Sequence, residues 1–294
     1  MEDPQEFLLE KRLRELDPAL HRGFTNTVFA LQNMLGRFRL MFPEYTDHSQ
    51  FHCINVLEFC NAIVGPEQIR RLNADEIYVL LMSCYLHDTG MAMTPKDYDA
   101  FRDELGCREY LARFPGRTQA DFIRDYHHEF SGKFILKYAY LLEIPTQEHL
   151  FAIAQVSRGH RRTDLYDTAE YPPVLALPGG NTVCLPYLAA LIRLADEIDV
   201  VAGRNPPLLY DLESLTDSYQ IACNRLLAAV PRMDILPQGF LLHVDAPDPE
   251  LRLAVDQMVA KMQATLDLCR SVVRGRTPYR ITQEWVETTP FLKP

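Results

Sequence analysis

The sequence predicts a mainly α-helical fold, in which a helical bundle is followed by a smaller C-terminal extension of helices and strands. Apolar residues recur at helical spacing over much of the first 200 positions, and strand-like alternation is scarce there. Proline and glycine interrupt the pattern repeatedly, for example at Pro43, Gly65-Pro66 and Gly90. These interruptions divide the chain into separate helices. The 294 residues are enough for one large domain, or for a core with a smaller appendage.

The helical core is predicted to occupy residues 1–204. A stretch rich in proline and glycine at 172–180 predicts a long loop before the last core helix. The predicted core helices are 5–16, 24–41, 48–64, 74–87, 97–113, 118–140, 146–159 and 183–202.

The character of the sequence changes after Gly203, so residues 205–294 are predicted to form an extension packed on the core. Asn205-Pro206-Pro207 ends the helical pattern. The extension is predicted to contain a helix at 211–230, a short strand at 239–244, a long amphipathic helix at 248–274 and a strand within 279–286.

Composition and charge narrow the class of protein. The net charge of −10 disfavours coating of nucleic acid, although a bound metal can still attract a small anionic substrate into one cleft. The seven cysteines are an odd number without a C-x-x-C pair, a pattern that favours reduced thiols over disulfides. The charged N-terminus lacks a secretory apolar segment, and the longest apolar run, residues 77–86, is half the ~20 residues that span a bilayer. We therefore expect a cytoplasmic protein with no membrane association.

Histidine and aspartate residues occur on successive predicted helices. The gaps between them are 33 to 39 residues, about the length of a helix, a loop and a returning segment. Such spacing can bring all of these side chains to one end of a bundle. Imidazole and carboxylate together suit a divalent ion such as Mn, Fe, Co, Ni, Zn or Mg. The residues are His52, His87-Asp88, His127-His128, His160 and Asp196.

The adjacent pair His87-Asp88 ends an apolar helix, just before Thr89-Gly90 releases the chain. Neighbours on a regular helix point about 100° apart, but at a helix C-terminus their side chains can converge. Burying Asp88 after ten largely apolar residues is unfavourable unless a cation accompanies it. A metal ion would be that cation.

The order H…HD…D resembles the HD-domain superfamily of metal-dependent phosphohydrolases over roughly residues 25–204. The local contexts are also similar: H-x-x-x-V at 52–56, L-H-D-x-G-M at 86–91 and L-A-D-E-I-D at 194–199. R-x-x-H-H-E-x-S at 124–131 and R-G-H at 158–160 resemble branches with additional histidines, some of which bind two metals. Those branches include HD domains joined to Hsp90-like ATPases and, more distantly, the HD-GYP cyclic-dinucleotide phosphodiesterases.

One departure from the HD-GYP branch bears on the substrate. Where that branch has G-Y-P after its last histidine, this chain has Arg161-Arg162-Thr163. The difference argues against cyclic di-GMP as the substrate.

The resemblance implies a role for each matching residue. His52, His87, Asp88 and Asp196 would hold one metal ion, and His127 and His160 would bind a second ion or grip the phosphate. His127 is preferred to His128 because it stands at the R-x-x-H spacing from Arg124. Asp88 would bridge two ions or orient the attacking water, and His127 or His160 would protonate the leaving oxygen. The residues expected on the substrate side are Arg158, Arg161, Arg162, His128 and Asp199, with His128 and Asp199 alternatively expected to contact the metal ligands from behind.

Hydrolysis of a phosphate ester, on a nucleotide or related small molecule, is the expected activity, with one or two divalent ions as cofactor. The motifs H-E-x-x-H and G-x-S-x-G and a P-loop are absent. The alternative is a non-catalytic domain that senses a nucleotide and works with a fused or partner ATPase. The sequence also leaves open a homo-oligomer.

Overall fold

The computed structural model describes residues 7–204 and 215–289. Over this part of the chain the protein is mainly helical, which confirms the predicted fold class. Two short 3-10 turns occupy Thr89–Met91 and Ala202–Arg204. The helices are α1 (Leu8–Leu16), α2 (Pro18–Leu35), α3 (Phe38–Met41), α4 (Gln50–Ile69), α5 (Ala74–Leu86), α6 (Pro95–Phe101), α7 (Cys107–Arg113), α8 (Gln119–Tyr138), α9 (Gln147–Arg158), α10 (Leu185–Glu197), α11 (Ser218–Ala228) and α12 (Pro249–Arg276).

Helix α5 lies at the centre of the bundle. Every residue from Asp75 to Leu86 is buried, as expected for a helix that is apolar on nearly all sides. Helices α1, α2, α4, α9 and α10 pack around it. Its first turn is fixed by a capping box, in which Asn73 and Glu76 each accept from the other's backbone N–H. The fixed helix places His87 at its C-terminal end, inside the bundle.

The C-terminal part contains a three-stranded sheet and the longest helix. The strands are β3 (Arg232–Leu236), β4 (Gly239–His243) and β5 (Trp285–Thr288), and β4 pairs antiparallel with β3 and parallel with β5. Helix α12 packs along α10, and its buried residues from Met262 to Val273 belong to the same apolar core as those of the bundle. The division of the chain at 204/205 stays a prediction, since residues 205–214 lie outside the described part.

Most helix predictions agree with the structure, and the exceptions have local causes. The single helix predicted at 97–113 is wrong, because Gly106 (φ +82°) separates α6 from α7. Helix α2 begins at Pro18, earlier than predicted, with the Asp17 carboxylate accepting from two backbone N–H groups. Helix α10 ends at Glu197, so Asp199 lies beyond it. The predicted loop contains a small hairpin of β1 (Leu175–Ala176) and β2 (Thr182–Val183).

The cysteines are unpaired, and six of the seven are buried. Among the described residues, none of the helices combines the length and the apolar character that crossing a membrane requires.

Candidate metal centre

Five helices bring the predicted His and Asp side chains to one end of the bundle. His52 lies in the first turn of α4 and His87 caps α5, so that Asp88 follows directly. The other three come from α8, from the turn after α9 and from the last turn of α10. These are His127, His160 and Asp196, respectively.

One group of donor atoms surrounds the Nε2 atom of His52. It lies 3.2 Å from His87 Nε2, 3.4 Å from Asp88 Oδ2 and 3.3 Å from Asp196 Oδ1. His87 Nε2 is in turn 3.3 Å from Asp88 Oδ2. His52, His87 and Asp88 therefore present one atom each to a common point, and Asp196 adjoins this group through its contact with His52.

A second group forms around the other oxygen of Asp88. Asp88 Oδ1 lies 3.3 Å from His127 Nε2 and 3.5 Å from His160 Nε2, and these two nitrogens are 2.8 Å apart. The Asp88 carboxylate thus faces one group with each of its oxygens, and it is 2% exposed. Both groups have the proximity that a metal site needs.

In the four histidines of the two groups, the other ring nitrogen, Nδ1, hydrogen-bonds to an oxygen acceptor. His52 Nδ1 lies 2.6 Å from Asp199 Oδ2, and the other three contact the backbone carbonyl three residues earlier in the chain. A carbonyl or an ionised carboxylate only accepts, so each Nδ1 must carry the proton. Those carbonyls belong to Cys84, Arg124 and Ser157.

This arrangement leaves lone pairs facing one another at the centre. In a neutral imidazole with the proton on Nδ1, the Nε2 atom is an acceptor. Two acceptors about 3 Å apart repel each other unless a proton or a metal cation lies between them. Ligands that share an ion at about 2.1 Å are separated by roughly 3.0–3.4 Å, close to the separations within the His52 group. The residues therefore fit a divalent ion in both groups.

The electrostatics of the two groups differ. Burial alone would raise the pKa of Asp88, but His87, His127 and His52 lower it well below its ordinary value. Burial and Arg204 would lower the pKa of His52, but contacts with Asp196, Asp199 and Asp88 raise it well above its ordinary value. The carboxylates around His52 would likewise attract a metal cation.

At His160 the balance is reversed. Burial and the neighbouring His87 and His127 lower its pKa well below the ordinary value. His160 is therefore neutral, the form in which an imidazole can coordinate a metal.

Two glycines allow the backbones to approach closely enough to form the centre. A Cβ atom on Gly90 would lie 2.1 Å from the His127 carbonyl oxygen and 2.8 Å from the Ser131 nitrogen, so the turn after Asp88 packs directly on α8. A Cβ atom on Gly159 would lie 2.6 Å from the Ala189 Cβ, which brings His160 against α10. Both glycines are within two residues of a predicted ligand.

A cleft of about 620 Å³ opens above the centre. Asp88, His127, His160 and Asp196 form part of its floor. Tyr45, His48, Arg124 and Tyr219 line its walls together with the arginines that follow His160. In the sequence, Arg124 only marks the spacing to His127, and nothing there points to Tyr45, Tyr219 or Arg204. No signal distinguishes these from ordinary surface residues, because they meet at the cleft only through the tertiary fold.

The residues predicted on the substrate side occupy different places. Arg161 and Arg162 line the cleft, as a phosphate-binding role requires. Arg158 instead forms a two-point ion pair with Glu129 between α8 and α9. Asp199 is fully buried and orients His52.

His128, the other substrate-side candidate, lies beside the second group but outside it. Burial, together with the charges of His127 and Arg161, lowers its pKa to about 3. Its Nδ1 has no hydrogen-bond partner in the described part of the chain. Its neighbour His127 is the histidine whose Nε2 joins the second group.

A helical bundle with a buried His and Asp cluster, in the order H…HD…D, defines an HD-type domain. The chain belongs to the HD-CE family, whose model matches residues 42–290. The match includes all six predicted metal ligands as well as α12 and the three-stranded sheet. Neither the curated proteins nor the solved structures gave a match.

Proposed function

We propose that the protein hydrolyses a phosphate ester in a metal-dependent reaction, with a nucleotide or a related small phosphorylated molecule as substrate. The observation that carries this proposal is the pair of donor groups that share the Asp88 carboxylate. One ion would be held by His52, His87, Asp88 and Asp196, and a second by Asp88, His127 and His160. When bound, a divalent ion supplies Lewis acidity, which makes water acidic enough to attack at neutral pH and offsets phosphoryl charge.

The chain's own residues would position the reactants. Asp88 keeps the two groups adjacent, because each of its oxygens faces a different group. Arg161 and Arg162 would donate to phosphoryl oxygens from the cleft wall. A histidine that coordinates through Nε2 has no proton there to donate, so the ligand and acid roles proposed for His127 and His160 exclude each other. The acceptors at their Nδ1 atoms favour the ligand role.

The test combines metal analysis with an activity panel. Purified protein would receive Mn, Co, Ni, Zn, Fe or Mg together with nucleotides, p-nitrophenyl phosphate and bis(p-nitrophenyl) phosphate. We expect turnover in the wild type, with a loss of at least about 100-fold in Asp88→Asn, which removes a shared ligand. Asp234→Asn is a matched control, because Asp234 lies on β3 and pairs with His243. Wild-type activity in Asp88→Asn would refute the proposed centre.

The same panel separates catalysis from the non-catalytic alternative. A nucleotide-sensing domain would bind nucleotide and release no product with any metal. We propose, as the finer family assignment, the branch joined to Hsp90-like ATPases. Its support is the resemblance of the 124–131 and 158–160 motifs. Co-purification with an ATPase of that type would support this assignment, whether the domain is an enzyme or a nucleotide sensor.

A further inference from the structure

Positively charged side chains outnumber carboxylates in the cleft above the metal centre. Among the described residues that line it, six are Lys or Arg and four are Asp or Glu, although the whole chain has a net charge of −10. The cations are Arg124, Arg161, Arg162, Arg193, Arg204 and Lys261, and the carboxylates are Asp88, Asp125, Asp196 and Glu197.

Three of these cations have hydrogen-bond or salt-bridge partners within the protein. Arg193 donates to the Gly159 carbonyl and to Thr163, which fixes the turn that carries His160. Arg204 donates to the backbone carbonyls of Asp47 and Asp199. The Lys261 ammonium group lies 2.8 Å from a Glu197 carboxylate oxygen. These side chains therefore have structural partners.

The other three, Arg124, Arg161 and Arg162, form what we call the outer arginine group. Within residues 7–204 and 215–289, the side chains of Arg161 and Arg162 make no hydrogen bond or salt bridge. The Arg124 guanidinium lies over two rings, 6.0 Å from the Tyr45 centroid and 5.6 Å from the Tyr219 centroid. Aromatic faces fix a planar guanidinium without neutralising it.

Arg124 also has two acidic neighbours, Asp121 and Asp125, and both already have other partners. Its NH2 atom lies 3.4 Å from Asp125 Oδ1, a long contact, while Asp125 Oδ2 accepts from the Tyr110 hydroxyl at 2.7 Å. With one long contact to a shared carboxylate and one contact to the Tyr45 side chain, Arg124 keeps some of its five N–H donors for a ligand.

The arginines of the outer arginine group neighbour both histidines of the second donor group in the chain. Arg124 is one turn before His127 on α8, and its backbone carbonyl accepts from His127 Nδ1. Arg161 and Arg162 follow His160 directly, and all three arginines line the same cleft. A phosphoryl group on the floor of the cleft would therefore have additional cations beside it.

We propose that the outer arginine group binds a second phosphate of the substrate, so that the preferred substrate is a di- or triphosphate rather than a simple monoester. This inference rests on the proposed function. The metal centre would receive the phosphoryl group that is hydrolysed. The arginines would receive the neighbouring phosphate, through paired N–H donors that match phosphate oxygens.

The first arm of the test measures kcat and KM for adenosine mono-, di- and triphosphate. The wild type should show a kcat/KM at least about tenfold higher for the di- or triphosphate, the effect of one charge-assisted contact. In Arg124→Gln and in the double variant Arg161→Gln/Arg162→Gln, the loss for the triphosphate should exceed the loss for the monophosphate by about tenfold, mainly through KM. Arg124→Gln keeps the backbone carbonyl that holds His127.

The control is Arg274→Gln, which removes an exposed arginine of α12 from a different surface cavity. It should change both kcat/KM values less than about twofold. Equal wild-type use of mono- and triphosphate, or equal losses in the variants, would overturn the inference.

The second arm measures binding without turnover. Calorimetry in the presence of a chelator would compare inorganic tripolyphosphate with inorganic phosphate. Wild-type protein should bind tripolyphosphate at least about tenfold more tightly, and the triple arginine variant should lose that preference. A preference that survives in the triple variant would overturn the inference. If the wild type keeps the preference but hydrolyses no ester, the proposed activity fails and the binding site stands.

Discussion

At the scale of single residues, the centre depends on groups that fix each imidazole. The buried Asp199 carboxylate accepts from His52 Nδ1 at 2.6 Å and from Asn55 at 3.2 Å. By holding the Nδ1 proton it leaves Nε2 of His52 free to coordinate. Mutation of a group that hydrogen-bonds to a metal ligand commonly lowers metal affinity by about 10–100-fold.

Asp199→Asn should therefore weaken metal binding by about 10–100-fold, because an amide N–H facing Nδ1 favours the wrong tautomer. Titration against a chelating indicator would measure the dissociation constant. Asn55→Ala is the matched control, since it removes a different partner of the Asp199 carboxylate and leaves the His52 contact. If Asp199→Asn binds metal as the wild type does, the orienting role is wrong.

Gly90 lies where the turn after Asp88 packs closely against the backbone of α8. Gly90→Ala should lower the free energy of unfolding by about 1–3 kcal/mol, because the new Cβ would overlap the His127 carbonyl. Urea denaturation would measure the loss. Gly275→Ala, at a helical position with open space around it, should not destabilise the protein. Equal stability of both variants would contradict the packing argument.

At the scale of elements, the geometry of the second donor group depends on how α8 meets α9. Arg158 Nε and NH2 donate to the two carboxylate oxygens of Glu129 at 2.9 and 2.8 Å. Gly132 makes room for this arginine, since a Cβ there would lie 2.9 Å from Arg158 Cδ. The ion pair links the helix that carries His127 to the helix that precedes His160.

A double-mutant cycle with Glu129→Gln and Arg158→Gln should give a coupling energy of about 1 kcal/mol, as expected for a partly buried, two-point pair. Unfolding free energies from denaturant titration supply the four values. Additive effects would show that the two side chains act independently. They would return Arg158 to consideration as a phosphate ligand.

At the scale of the whole molecule, the metal centre joins segments from residue 52 to residue 196. An ion that binds only the folded state would stabilise the entire bundle. At a free metal concentration about 100 times the Kd, the gain should be about 2.7 kcal/mol.

Thermal unfolding should therefore show a Tm several degrees higher with Mn or Zn than with a chelator, since about 1 kcal/mol shifts Tm by 2–4 °C in proteins of up to about 250 residues. The Asp196→Asn variant should lose much of this shift, because it removes one donor from the His52 group. An identical Tm with and without metal, in the wild type, would argue against an ion in the folded protein.

The charge of the cleft is also a property of the whole molecule. The residues of the outer arginine group lie on two segments separated by more than 30 positions, and the overall composition is acidic. Their grouping could not be deduced from net charge. It follows from the packing of α8 against α9, the helix that precedes Arg161 and Arg162.

The sequence by itself determined the helical fold class, and it singled out the candidate donor residues by their order and local motifs. Helical periodicity is visible in short windows, and His87-Asp88 sits at a helix end that its neighbours define. Only the tertiary structure decided which oxygen of Asp88 faces which histidines, that Arg158 pairs with Glu129, and that Arg124 stands between two tyrosines. These contacts join residues distant in sequence, and close packing at glycines, such as Gly90 against α8 and Gly132 against Arg158, makes room for them. Local patterns do not contain that information.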